Sequence, residues 1–175
     1  DVVTVGEAMA LFIADSAGPL AAVDKFHRVT AGAELNVAVG LTRLGHRVGY
    51  ISRVGKDSFG EHLLSFMDDQ GIDRSHVTVD GQYPTGFMLK SLVNDGSDPR
   101  VEYFRRGSAA SRLSPADNPS AWCATARHLH LTGISAALGD SVRQAQQHAY
   151  DVARGIHFDG AQMRRDIGYR AIKNP

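Results

Sequence analysis

The sequence predicts an α/β protein built around a parallel sheet. Three observations carry that expectation. Short β-branched runs alternate with stretches that are apolar at helical spacing, glycines mark the joints, and a single hairpin signal interrupts the rhythm. Val2 to Val5, closed by Gly6, reads as a buried strand. From Leu11 to Thr30 the pattern is irregular, with a turn at Gly18-Pro19. Glu34 to Leu44 reads as a helix. Leu35, Ala38, Leu41 and Thr42 share a face, Glu34 suits the positive N-terminal end, and Gly45 fits the C-cap. Val48 to Val54 returns to strand character. Asp57 then suits the N-cap of a second helix, with Phe59, Leu63, Phe66 and Met67 on one apolar face and Gly71 at its end. Further on, Arg127 to Thr132 reads as a strand, Asp140 to Arg154 as a helix, and Gly155 to Asp159 as the start of another strand.

The stretch from Thr85 to Arg106 differs. Gly86 to Val93 and Val101 to Arg105 are both rich in β-formers, and Asn94-Asp95-Gly96-Ser97-Asp98-Pro99 joins them. Asn-Asp-Gly between such segments signals a hairpin. With no helix of its own, the hairpin is expected to project from the main sheet as a flap.

Composition narrows the function. A chain of 175 residues, 43% hydrophobic, suffices for one domain, or a domain with an appendage, and buries a core without disulfides or metals. Nineteen basic residues against 19 acidic ones, with no cluster longer than Arg164-Arg165, argue against nucleic-acid binding. Cys123 is the only cysteine, which excludes an internal disulfide and a Cys-based zinc site; next to Trp122 it reads as a small buried hydrophobe. No apolar run approaches the ~20 residues of a membrane span. Asp1 to Gly6 shows no basic segment of a signal peptide, so a cytoplasmic protein is expected. Glycine is over-represented, 18 residues against a typical ~7% of a chain.

Three constellations could carry chemistry. In Ala31-Gly32-Ala33-Glu34-Leu35-Asn36, small residues directly before a helix admit a ligand to the backbone, the helix N-terminus offers unpaired N–H groups, and Asn36 adds a donor and an acceptor. The competing reading is a turn whose glycine serves backbone geometry alone. Neither a dinucleotide fingerprint nor a phosphate loop is present. Gly55-Lys56-Asp57-Ser58-Phe59-Gly60 reads as a turn, a cap and a helix start. In Tyr103-Phe104-Arg105-Arg106-Gly107-Ser108-Ala109, Tyr103 and Arg105 would share one face of a strand. A hydroxyl beside a guanidinium suits a ligand with a carboxylate and several hydroxyls; an edge strand charged against aggregation is the alternative. His128 and His130 alternate on one strand without the companions of a metal site.

Taken together, these segments resemble a known family. Gly6-Glu7-Ala8, Gly18-Pro19-Leu20, the run from Phe26 to Gly45, and Val54-Gly55-Lys56-Asp57-Ser58-Phe59-Gly60 resemble the ribokinase-like (PfkB) carbohydrate kinases. Gly32-Ala33-Glu34-Leu35-Asn36-Val37-Ala38, Pro84-Thr85-Gly86 and the run from Val101 to Ser111 are similar to the 2-keto-3-deoxygluconate kinases among them. The resemblance implies a Rossmann-like ribokinase fold, here partial, with a small β-lid formed by strands from about residues 9–30 and 85–107. It implies ATP- and Mg²⁺-dependent phosphorylation of a sugar acid, and pairing of two copies through the lids. Gly32, Ala33 and Asn36 fall where the family binds sugar hydroxyls. Tyr103 and Arg105 fall where the subfamily holds the keto-acid, and Met88, preceded by Phe87, falls near an aromatic contact of that subfamily.

The family strand around Asp159 usually continues Asp-Pro-Asn-x-Arg; here it reads Asp159-Gly160-Ala161-Gln162-Met163-Arg164. No counterpart of the family's second signature, which supplies the anion hole, the catalytic base and the nucleotide site, is found. Residues 1–159 are therefore expected to form a substrate-binding half and residues 160–175 a tail unlike the family. On that basis this chain has no catalytic, cofactor-binding or metal-ligating residue of its own, does not hold ATP or Mg²⁺ tightly, and has negligible turnover alone. Other sugars of the ribose, fructose or tagatose type, or a non-catalytic role in sugar-acid binding or dimerisation, remain open. A parallel sheet stopped early leaves an edge and apolar docking surface uncovered. The isolated chain is thus expected to express poorly or to self-associate in sedimentation, whereas a soluble, cooperatively melting monomer would contradict this.

Overall fold

The computed structural model describes residues 1–117 and 120–132. The helix expected at 140–154 and the strand expected at 155–159 lie outside the described residues. In chain order the elements are β1 (Val2–Val5), β2 (Met9–Ala17), β3 (Phe26–Ala31), α1 (Ala33–Arg43), β4 (Val48–Gly55), α2 (Ser58–Asp69), β5 (Asp73–Asp80), β6 (Phe87–Leu92), β7 (Val101–Phe104), α3 (Ser120–Cys123) and β8 (His128–Leu131).

Two sheets result. The body sheet runs β5-β4-β1-β8, and every neighbouring pair is parallel. Side chains alternate across it. Val48, Tyr50 and Val54 of β4 meet Leu35 and Ala38 of α1 and Leu63 and Met67 of α2 on one face. On the other face Val3, Val5 and Ile51 pack with Leu113, Cys123 and the partly buried Trp122. Both faces of the strands are therefore apolar, as a parallel sheet requires. Cys123 is buried as expected, and burial pushes its thiol up to about 11.

The lid sheet runs β3-β2-β6-β7. The expected hairpin is present, with Phe87 opposite Phe104 and Met88 opposite Tyr103 in antiparallel register. Two strands correct the reading of residues 11–30 as irregular: β2 pairs antiparallel with β3 and parallel with β6. Their pattern hid them because β2 is buried at Met9 and Ala10 in succession, so the period-two signal of a half-buried strand is absent. The edge strand β5, exposed at half of its positions, carries no strand signal in the sequence, since its polar residues outnumber its valines.

Both helices end close to the expected limits. After α1, the Gly45 and His46 N–H groups donate to the carbonyls of Thr42 and Leu41. After α2, those of Gly71 and Ile72 donate to Asp68 and Met67, the same paired closure. At the start of α2, Asp57 Oδ1 accepts from the N–H groups of Phe59 (3.1 Å) and Gly60 (2.8 Å), confirming the cap. Its Oδ2 does something further, accepting from the N–H of Thr85 at 2.8 Å, while Thr85 Oγ1 accepts from the N–H of Gly55 at 2.8 Å. One carboxylate thus caps a body helix and ties down the chain entering lid strand β6. Phe59 departs from the expected single apolar face. It packs on lid rings, with centroids 5.4 Å from Phe12 and 5.7 Å from Phe87, and Phe87 in turn stacks on Phe104 at 4.7 Å.

Burial raises the affinity of the Asp57 carboxyl for its proton, but hydrogen bonds from Thr85, Gly60 and Phe59 outweigh it and hold the group below the usual carboxylate range. A depressed folded-state value means stability that is present above the unfolded value, near 3.9, and is lost as pH falls through the folded one. Asp57→Ala is expected to cost about 1–2 kcal/mol at pH 7 in urea unfolding. The difference from the parent should shrink below about pH 4. Equal stability of the two at pH 7 would show that the carboxylate does not tie α2 to β6.

Candidate functional site

After β1, the chain adds β4 and then β5 on one side, and later places β8 on the other side of β1. Strand order therefore reverses at β1, and the crevice outside the carboxyl ends of β1 and β8 is where an open α/β sheet binds ligands. Gly6 and Glu7 leave β1 there, Thr132 follows β8, and the lid begins at Met9, opposite Ala31 in the register of β2 with β3.

Glu7 organises this crevice. It is 2% exposed. Its Oε2 forms an ion pair at 2.5 Å with Nη2 of Arg105, and its Oε1 accepts from the Ser108 hydroxyl at 2.6 Å. Burial pushes the Glu7 carboxyl above its ordinary range; Arg105 and Ser108 pull the other way, and the nearby Glu34 carboxylate adds to the rise. Glu34, also buried, accepts from Thr132 Oγ1 at 2.5 Å. Burial, with Glu34 and Glu7 close by, holds the Tyr50 hydroxyl well above its usual range.

The residues picked out by sequence fall into two groups. Gly32, Ala33 and Asn36 form the N-terminal turn of α1, where Gly32 has φ 152° and the Asn36 N–H donates to its carbonyl at 2.8 Å. A Cβ on Gly32 would lie 2.6 Å from the Glu7 carbonyl oxygen, so both its conformation and this close approach require glycine. Ala33 is half-buried and Asn36 exposed. Met88, Tyr103 and Arg105 gather on the lid. Met88 is buried opposite the 57% exposed Tyr103, and Arg105 sits one residue past β7 with its guanidinium carbon 5.9 Å from the centre of the Tyr103 ring. Glu7 bridges the groups, its main chain against Gly32 and its carboxylate on Arg105.

Glu7, Glu34 and Ser108 stand inside the motifs, but the sequence marks none of them as a ligand contact, and Glu34 only as suited to the helix N-terminus. The available signal for Glu7 was its position, an acidic residue directly after the glycine that closes an apolar strand, at the carboxyl end of the sheet. Chemically, the lid side offers a guanidinium beside a phenol, the first turn of α1 offers N–H groups and the exposed Asn36 amide, and Glu7 touches both sides, groups suited to a polyhydroxy anion. His128 is exposed and His130 half-buried on β8. Among the described residues, no three His, Cys, Asp or Glu side chains come together as a metal-holding group.

Comparison with known proteins agrees with this architecture. The family model for pfkB family carbohydrate kinases matches residues 1–159. The chain is 44% identical over 164 residues to a 2-dehydro-3-deoxygluconokinase of Bacillus subtilis (strain 168), covering 91% of the chain and 50% of that protein. It is 38% identical over 159 residues to the 2-dehydro-3-deoxygluconokinase of Thermoproteus tenax, covering 90% and 49%. Among solved structures, a PfkB protein from Polaromonas sp. JS666 superposes with a TM-score of 0.80 at 49% identity, covering 90% of this chain and 54% of that one. The chain spans about half the length of the curated relatives it matches. By its two-sheet fold and by these matches, the chain belongs to the pfkB family of carbohydrate kinases.

Proposed function

We propose that the protein carrying this chain transfers a phosphoryl group from ATP to a hydroxyl of 2-keto-3-deoxygluconate, and that residues 1–159 supply the sugar side of the site. The observation that carries this reading is the placement of Arg105. A guanidinium is drawn into the lid–body seam, its side chain only 19% exposed, beside Tyr103 and on the carboxylate of Glu7, whose main chain lies against Gly32. Two relatives bearing the name 2-dehydro-3-deoxygluconokinase, at 44% and 38% identity, support the same substrate class.

In this reading Arg105 receives the carboxylate, since a planar fork of donors matches two carboxylate oxygens. The phenol of Tyr103 and the side chain of Asn36 bind hydroxyls, the backbone around Gly32 and Ala33 comes within reach because no side chain intervenes, and Met88 supplies apolar contact. Phosphoryl transfer depends on holding acceptor and donor in line and on excluding water. This chain contributes the holding of the acceptor, and the lid sheet, anchored by Asp57 and the phenylalanine cluster, contributes a cover. ATP supplies the phosphoryl group. Mg²⁺ accompanies ATP in this reading, and the described residues bring no group of three His, Cys, Asp or Glu side chains to it. Nor is any residue here assigned as base, anion hole or nucleotide contact.

The proposal extends to assembly and place. Tyr103 and Phe104, 57% and 47% exposed on opposite faces of β7, belong to the open edge of the lid sheet, and that edge favours pairing of two copies there. No helix among the described residues is long and apolar enough to cross a membrane, which accords with work in the cytoplasm on a small sugar acid.

The full-length protein is expected to bind 2-keto-3-deoxygluconate at least tenfold more tightly than its carboxyl-reduced counterpart. Arg105→Ala should lower affinity for the acid by about 10–100-fold, the value of a charge-assisted pair. Affinity for the reduced compound should change little. Calorimetry showing no preference for the acid in the parent protein would reject the substrate class.

A further inference from the structure

Arg105 already has a carboxylate on it. Its Nη2 lies 2.5 Å from Glu7 Oε2, and the Glu7 side chain is 1% exposed. The second oxygen of Glu7 is held by the Ser108 hydroxyl at 2.6 Å, so the carboxylate cannot swing away without leaving that bond. The carboxylate also fills the space that a side chain at Gly86, the residue before β6, would need, since a Cβ built there would lie 2.5 Å from Glu7 Oε1. A sugar carboxylate arriving at Arg105 therefore meets a fixed, buried negative charge on the same cation.

The groups facing Glu7 sharpen the conflict. From the lid come Arg105 and Ser108, from α1 the buried Glu34, and from β4 the hydroxyl of Tyr50, whose titration Glu7 and Glu34 both influence. Among the described residues, Arg105 is the cation paired with Glu7. With ligand bound, the carboxylates of Glu7 and the sugar share it, with Glu34 nearby. Two carboxylates at one buried site do not both stay ionised readily; one is driven to take a proton.

Resting on the substrate reading above, we propose that Glu7 is the resident counter-ion of Arg105, and that a sugar acid binds with uptake of one solvent proton by the Glu7 carboxylate. The free protein keeps Arg105 paired and positioned. The arriving carboxylate takes over the role of counter-ion, and Glu7, now a neutral acid, stays in place against Ser108. No covalent bond changes and charge is conserved, since the ligand's negative charge enters together with the proton. The direction of the Glu7 titration in the free protein, already raised by burial, makes that uptake easier.

The sign of the linkage follows. Glu7 holds its proton more tightly with ligand than without, so affinity for the acid is greatest at low pH. It falls by up to about tenfold per pH unit between the free-state and bound-state titrations of Glu7. Titration calorimetry of the full-length protein with 2-keto-3-deoxygluconate, in two buffers of different ionisation enthalpy, reads the proton count directly. The expected result is net uptake approaching one proton in the parent protein and close to none in Glu7→Gln, whose affinity should be flat with pH. Binding by the parent without proton uptake overturns the inference and leaves the substrate reading standing. Equal uptake by parent and variant also overturns it. Absence of acid binding by the parent overturns both. Absence of uptake by the parent rejects the inference even where Glu7→Gln does not fold, and a purely structural Glu7 would not change the proton count.

Discussion

A charged side chain drawn out of water must find an opposite charge or surrender its own, and the Glu7–Arg105 pair shows how this fold meets that demand. Glu7 belongs to the body, one residue past the glycine that closes β1. Arg105 belongs to the lid, one residue past β7. Bringing the two within contact distance fixes where the end of the lid hairpin stands relative to the carboxyl edge of the body sheet. It also draws a guanidinium into a crevice that would otherwise be lined by two carboxylates. Such pairs add little net stability compared with apolar packing. The gain is in placement, and placement is what a site that holds one sugar in one orientation needs.

Other contacts hold the lid in the same posture. Asp57 joins the first turn of α2 to Thr85 at the root of β6, and Phe59 reaches from α2 into the rings of Phe12 and Phe87. These sit at the start of the lid hairpin, and Arg105 and Ser108 sit at its end, where the Ala109 N–H also donates to the Pro84 carbonyl at 2.7 Å. The hairpin is thus pinned at both of its roots, while Asn94 to Pro99 at its tip makes the outward turn. Lid and body share a polar seam, and that seam is the candidate site.

How much of this the sequence shows depends on whether the cause is local. The caps of α2 at Asp57 and Gly71, the closure of α1 at Gly45, the body strands β1, β4 and β8 and the hairpin at Gly96 are legible, because each rests on residues within one turn or one strand; the polar strand β5 is not. Strands β2 and β3 were not legible from periodicity. Met9 and Ala10 are buried next to each other by contacts with other segments, and β3 draws its pairing from β2 rather than from a pattern of its own. The site was half legible. Gly32 and Arg105 stand out by residue type within their motifs. Glu7 does not, because its importance comes from a partner 98 positions away in the chain, and only the folded molecule puts the two carboxylate oxygens against Arg105 and Ser108.

The account stands on Glu7 and Arg105 acting as one unit, and a double-mutant cycle on stability tests that most directly. Glu7→Gln and Arg105→Met each strand a buried group, and each is expected to cost several kcal/mol, about 3–5 for a broken buried pair. The double variant is expected to cost less than the two single losses combined, by roughly 0.5–3 kcal/mol, the usual coupling between residues in contact. Losses that simply add would mean that the two side chains do not sense each other, and the seam between lid and body would need a different explanation.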